Sequence, residues 1–278
     1  MEEVEAAEAF QRLHPREFLE RFITKSVRPD GRGLDQSRDV NISSGTVQTA
    51  DGSGTVHIGR TSVCCGIKFM VGEPAIKAPD SGLLDISVSL LPVCSPEFDG
   101  RPSELSIALG AYVSKVVDSA NLVDKTELLI KEGVACFVLR ADIVCLSDDG
   151  NLWDACLLSF IAALSDLGLP NVDVVNVEGD KDKTQVVQIG TECPNKLQIN
   201  NWPVSSTFGL FGDQLLLDPT NEEMRVLDGV LTVVLTENGD VACVQKTDGP
   251  SVSMSVLDAC LDRGTTRAKE IGILLKGL

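Results

Sequence analysis

Hydrophobic positions recur at two periods along this chain, and the switches between them mark its elements. Phe137 to Leu146 is mostly apolar and rich in β-branched side chains, which predicts a buried strand. Asp148-Asp149-Gly150 is turn chemistry, with the glycine free to take positive φ. Asn151 to Leu164 is then apolar on nearly every face, with Asp154 as its one charge. Such a pattern predicts a helix buried on both sides, between two layers, with Asn151 as its N-cap.

The flanking chain reads in the same way. Val4, Ala7, Phe10 and Leu13, then Phe18, Leu19, Phe22 and Ile23, recur at helical spacing. Pro15 divides that run or opens its second helix, and the apolar stripe is expected to dock on its own chain. Arg28-Pro-Asp-Gly-Arg32 is a turn. A meander follows: a strand over 38–43, a hairpin turn at Ala50–Ser53, then strands over 54–59, 61–71 and 83–91. A Pro/Gly-rich loop at 92–100 leads into a helix over 101–119, with Leu105, Leu109, Tyr112, Val113 and Val116 on one face. Beyond the central unit, 172–177 reads as a strand and 178–183 as a charged loop at a domain joint. Strands over 202–211, 214–217, 229–235 and 241–245, with an Asn238-Gly239 hairpin turn, precede a helix over 252–275. Strands followed by a turn and a helix thus occur twice. The prediction is an α+β protein with an N-terminal helical segment (1–25), a first domain (26–190) and a second (191–278).

Composition narrows this picture. At 278 residues, 43% hydrophobic and 23% charged, the chain has the balance of an ordinary globular protein with ample core. No apolar run approaches about 20 residues, which argues against a membrane span, and the acidic Met-Glu-Glu-Val-Glu start has no secretory h-region. The nine cysteines are scattered without a C-x-x-C pair, so they read as small buried hydrophobes in a reducing compartment, cytosol or nucleus. His14 and His57 are too few for a histidine metal site, and no metal or cofactor is expected. The net charge of −17 excludes a broad basic footprint for nucleic acid. Either the chain does not hold RNA strongly alone, or it offers a few cations to a site that partners complete.

The strand–Asp-Gly–helix unit resembles the RNase PH family of phosphate-dependent 3′-to-5′ exoribonucleases. Active members read roughly D-G-G-T-R-[TS]-A there, and the Gly-Thr-Arg binds the attacking phosphate. Here the matching residues are Asp149, Gly150, Asn151, Leu152, Trp153, Asp154 and Ala155. A tryptophan in the arginine position, with an aspartate beside it, is electrostatically wrong for an anion. The R-P-D-G-R turn, Asp51-Gly52-Ser53, Gly59 to Cys64, and Pro203-Val204 ahead of a Ser/Thr-Phe strand extend the resemblance over nearly the whole chain. Active members also carry two aspartates six residues apart, which match Glu222 and Asp228. Read without that context, the pair could hold Mg²⁺. Yet Asp149 to Ala155, read as D-G-N-x-x-D-A, and Leu217-Asp-Pro-Thr-Asn-Glu-Glu223 resemble the family's non-catalytic branch, the archaeal exosome ring subunit and its eukaryotic descendants, and the chain is most similar to a eukaryotic one.

The resemblance implies two β-α lobes like the second domain of ribosomal protein S5. It also implies a structural role in a six-membered ring of RNase PH-like subunits, capped by S1/KH proteins. Single-stranded RNA would thread that ring to a separate catalytic nuclease, in nucleus, nucleolus and cytoplasm. Lys68, Arg101 and Arg140 are the candidate RNA contacts. Two alternatives stay open: an active phosphate-dependent exoribonuclease using Glu222 and Asp228, and an interaction module outside any exosome.

Overall fold

The computed structural model describes residues 9–76, 78–176, 185–190 and 195–278. Its first sheet carries β1 (Val40–Ser44), β2 (Gly52–Ile58), β3 (Thr61–Gly72), β4 (Leu83–Leu90), β5 (Leu129–Lys131) and β6 (Ala135–Ser147). The order is β1-β2-β3-β6-β4, with β5 on β6. All neighbours are antiparallel except β4 and β6, which are parallel. A parallel pair needs a long crossover. Helix α2 (Glu104–Ser119) lies in that connection and packs on β4. It starts at Glu104, three residues after the expected start at 101, because Ser103 and Ser106 form a capping box.

The short pairs β7 (Gly168–Leu169) with β10 (Asn195–Lys196), and β8 (Val172–Asn176) with β9 (Gln185–Ile189), follow. The charged 178–183 loop lies outside the described residues. The second sheet has β11 (Val204–Phe211), β12 (Gln214–Leu217), β13 (Gly229–Leu235) and β14 (Val241–Lys246), in the order β12-β11-β13-β14. Gly239, at φ +88°, makes the β13–β14 turn.

Helix α3 (Leu152–Asp166) packs on β1, β2 and β3 of the first sheet and on β11 of the second. Its residues from Leu152 to Leu164 are all buried. An apolar helix between two sheets is what the sequence predicts. The approach to β2 is so close that two positions accept only glycine. A Cβ on Gly52 would lie 2.6 Å from the Ala163 carbonyl oxygen, and one on Gly54 2.6 Å from the Ala163 nitrogen. The expected hairpin turn at Ala50–Ser53 therefore falls earlier, over 45–51, and Gly52 and Ser53 belong to β2. Gly54→Ala is expected to push α3 off the sheet and cost about 3 kcal/mol in a denaturant titration. A loss below about 0.5 kcal/mol would mean the helix shifts freely.

Helix α5 (Met254–Lys276) packs on β11 and β13. At the other end of the chain, residues 9–13 are helical, and α1 (Pro15–Ile23) begins with Pro15 in its first turn. The Val4 and Ala7 positions of the stripe lie outside the described residues. Leu19 and Ile23 bury against Phe211 and Leu216, so α1 docks on the second sheet's end of its own chain. The eight cysteines described are free thiols, seven of them buried. Burial pushes the Cys156 thiol in α3 up to about 12, the behaviour of an inert hydrophobe.

Candidate functional site

The turn before α3 is where the family resemblance places a phosphate. Gly150 takes φ +84°, as turn chemistry predicts. The turn is clamped from several sides. Thr61 Oγ1 donates to the Gly150 carbonyl at 2.7 Å and accepts from the Asp149 N–H at 3.1 Å. Arg38 Nη1 donates to the Asp149 carbonyl at 2.8 Å. From the second sheet's side, the Asn221 N–H donates to the same carbonyl at 3.1 Å. A Cβ on Gly150 would stand 2.6 Å from the Asn221 nitrogen. The loop after β12 thus closes directly over the helix start.

Asn151 does not cap α3 as expected. It adopts the left-handed conformation (φ 59°, ψ 46°), and its side chain makes no cap hydrogen bond. Its amide instead donates to Asp154 at 2.8 Å and to Asp218 at 2.6 Å. Leu152 and Trp153 turn into the core. The Trp153 indole, 3% exposed, meets Tyr112 edge-on with centroids 5.1 Å apart. The position that the family resemblance assigns to a phosphate-binding arginine is therefore a core residue.

Asp218 is the centre of the region, and sequence reading did not single it out. It is fully buried at φ 55°. Its carboxylate accepts from Arg38 Nε at 2.9 Å, Arg38 Nη2 at 2.8 Å, the Arg38 N–H at 2.9 Å and Arg32 Nη1 at 3.3 Å, besides Asn151. Burial alone would raise this carboxyl, but the Arg38 hydrogen bonds and the charges of Arg267 and Arg38 outweigh it and hold it well below the usual carboxylate range. Arg28, also fully buried, donates to the Asp218 and Leu217 carbonyls and stands 3.7 Å from Glu223. Burial lowers its pKa, with Glu223 opposing.

Glu223 and Thr220 form the capping box of the short helix α4 (Asn221–Met224). Asp154 accepts from Thr207 Oγ1 at 2.8 Å and pairs with Arg267 of α5 at 3.2 Å. The three sequence signatures, R-P-D-G-R, D-G-N-x-x-D-A and D-P-T-x-E-E, therefore meet in one buried ionic hub between the two sheets. Two signals pointed to it. Asp154 is the lone charge in an apolar helix, and Arg267 falls in line with Cys260, Gly264, Ile271 and Leu275 on the buried face of α5.

The other candidates are placed elsewhere. Glu222 accepts from Gln11 at 2.7 Å. Asp228 accepts from the Gly212 N–H at 2.8 Å and pairs with Arg16 of α1 at 2.8 Å. Those two contacts hold the Asp228 carboxyl below its ordinary range. The N-terminal helical segment thus engages both carboxylates. No group of three or more metal-ligating side chains occurs among the described residues. Lys68 and Arg140 are cross-strand partners on β3 and β6. Asp85 stands opposite Arg140 on β4, and Asp142 lies 3.8 Å from its Nε, so the charge there is mixed. Arg101 is exposed on the loop ahead of α2, 3.7 Å from Asp99. On the same loop, Glu97 takes Arg225 at 2.6 Å.

Acidic charge also gathers at the turn. Burial raises the Asp148 carboxyl, and Asp149 and Glu97 raise it further against the Gly150 N–H. A carboxyl raised on folding loses stability as pH climbs from its unfolded value, about 3.9, through the folded one. Asp148→Asn is expected to stabilise the protein by roughly 0.5–1 kcal/mol at pH 7, the scale of an exposed charge pair. The gain should fade below about pH 4 in urea melts. An equal gain at both pH values would mean that charge is not the cause.

The architecture is that of a two-lobed α+β protein with a buried ionic hub at the start of its central helix. Residues 36–170 match the 3′ exoribonuclease family, domain 1, and residues 201–267 match its domain 2. The chain belongs to that family. Among its curated relatives is the exosome complex component Rrp42 of Methanopyrus kandleri, 35% identical over 90% of this chain and 91% of that one. That of Pyrobaculum aerophilum is 37% identical over 92% of both. A solved structure described as the Archaeoglobus fulgidus exosome with RNA bound to the active site superposes with a TM-score of 0.79. It is 32% identical and covers 92% of this chain and 95% of that one. An archaeal exosome core chain gives 0.78 at 30% identity, over 99% and 100%.

Proposed function

We propose that this chain is a non-catalytic ring subunit of an RNA exosome. It would pack with other RNase PH-like subunits into a six-membered ring beneath S1/KH caps and support 3′-to-5′ RNA processing and degradation by a separate nuclease. The observation that carries this reading is the helix start. Asn151, Leu152 and Trp153 present no cation where the family binds phosphate, and the Asn151 amide is consumed by Asp154 and Asp218. A phosphorolytic enzyme must hold its anionic nucleophile with preorganised donors. Glu222 and Asp228, each held by the N-terminal segment, would have no phosphate to work with.

Lys68, Arg140 and Arg101 are the cations that would touch a passing RNA backbone, without base readout. On this proposal the chain would be a ring paralogue resembling the eukaryotic ribosomal RNA-processing protein 43, with its sister protein 42 as the alternative. Its Phe98-Asp-Gly-Arg101 loop is shared with the sister protein 42, the name that the archaeal relatives carry. A eukaryotic ring subunit of this kind would work in nucleus, nucleolus and cytoplasm. Mild-lysis affinity purification with mass spectrometry tests the reading. Near-equimolar RNase PH-like and S1/KH proteins are expected. Recovery of the chain alone, or as a homo-oligomer, would overturn it.

A further inference from the structure

A second concave site adjoins the hub through Leu217 and Arg267. It is a cleft of about 870 Å³ between the loop after the R-P-D-G-R turn and the face of α5. Its walls include Asp35 and Ser37 from the loop and Arg263, Thr266, Arg267 and Glu270 from the helix. None of residues 149–154 lines it, so it is separate from the family's phosphate position.

Arg267 is 2% exposed, lines the cleft and pairs with Asp154 of the hub. Nη2 faces Asp154 at 3.2 Å, while Nε and Nη1 meet no acceptor among the described residues. The neighbouring Arg28 Nε and Arg32 Nη2 are likewise without acceptors. Buried donors without acceptors are costly, and a guanidinium fork matches a phosphate or carboxylate oxygen pair. At the outer side Arg263 is paired with Asp35 at 2.5 Å. The Ser37 and Thr266 hydroxyls add neutral donors.

The acids decide which anion fits. Arg263 and Arg267 are balanced in the cleft by Asp35 and Glu270, so a polyphosphate or a nucleic-acid strand would meet repulsion at the rim. One phosphate group is compatible with two arginines, and rim carboxylates are good acceptors for hydroxyls. The volume is within the range of small-molecule sites. We propose that this cleft binds a phosphate monoester with a hydroxyl-bearing body, such as a nucleoside monophosphate or a sugar phosphate. The phosphate would lie toward Arg267 and Arg263, and the hydroxyls toward Glu270 and Asp35. The proposal does not depend on ring membership.

Isothermal titration of the full chain with AMP, ribose 5-phosphate, inorganic phosphate and adenosine tests it. Saturable binding of a phosphate monoester at about 1 mM or tighter is expected. AMP tighter than ribose 5-phosphate identifies a nucleotide, and equal affinities identify a sugar phosphate. Arg263→Gln at the cleft's outer side should weaken binding about tenfold. Thr266→Val should weaken it less. Arg267→Gln is informative only if the variant folds, so the other two variants carry the test. Three results would overturn the proposal: no saturable binding of either monoester, adenosine binding as well as AMP, or affinity unchanged in both Arg263→Gln and Thr266→Val.

Discussion

Asp218→Asn is expected to destabilise the protein by about 3–5 kcal/mol, the cost of breaking a buried ion pair on one side. For a chain of this size that lowers the melting temperature by about 10 °C. The side chain keeps its shape, so the loss is electrostatic. Arg38 would keep one of the two acceptor oxygens it holds at 2.8 and 2.9 Å and meet an NH2 donor in place of the other, and Arg28, Arg32, Arg38 and Arg267 would be left facing one another with less compensation. The pH dependence gives an independent check. The folded carboxyl is held below its unfolded value, so its contribution is complete above about pH 4 and drains as pH falls further. The wild type should lose stability steeply on that acid limb, and Asp218→Asn should lose less. A double-mutant cycle with Arg38→Met should be strongly non-additive, because the two residues share one set of bonds. An Asp218→Asn loss below about 1 kcal/mol would remove the hub from its central place in the fold.

Trp153→Arg restores the residue type of active relatives at the helix start and is expected to abolish stable folding without creating activity. The indole is enclosed between α2 and α3 against Tyr112, whose hydroxyl is itself raised well above its ordinary range by burial and the nearby Asp154. A guanidinium there would be buried without a partner, a cost of about 4 kcal/mol or more. Trp153→Phe keeps an aromatic ring and should cost about 1–2 kcal/mol. Phosphate-dependent shortening of single-stranded RNA is the functional readout. None is expected from wild type or either variant. RNA shortening by Trp153→Arg, lost again in Asp228→Ala, would mean that the rest of an active site survives and would defeat the non-catalytic reading.

Much of the fold was legible before any coordinates. The α3 helix declared its position because apolar residues cover all its faces, which suits only a helix between two layers. Strands β12 and β13 fall where alternation and turn residues put them. The boundaries that moved did so for local reasons. Ser103 caps α2 so that it starts at 104 rather than 101, and Gly52 looks like a turn residue but, with Gly54, serves close packing on Ala163.

The site was legible as an absence and illegible as a construction. That the helix start carries Trp153 could be read from the sequence alone. That Asp218 and Arg38 join Arg267 in a buried ion network at the helix start was hidden, because Asp218 and Arg38 look like ordinary surface charges in their local windows. Glu222 and Asp228 looked like a pair because six residues separate them. The fold instead gives one to Gln11 and the other to Arg16.

Hydrophobic period, turn chemistry and residue type are local properties, and they determined the element order, the α+β class, the family signatures and the missing cation. Burial and charge pairing depend on which distant segments meet. Only the tertiary structure could decide that residues 28, 38, 154, 218 and 267 neutralise one another around the start of α3. A charge on an isolated strand or helix is solvated wherever the pattern puts it. It becomes a structural or binding group only when packing removes its water.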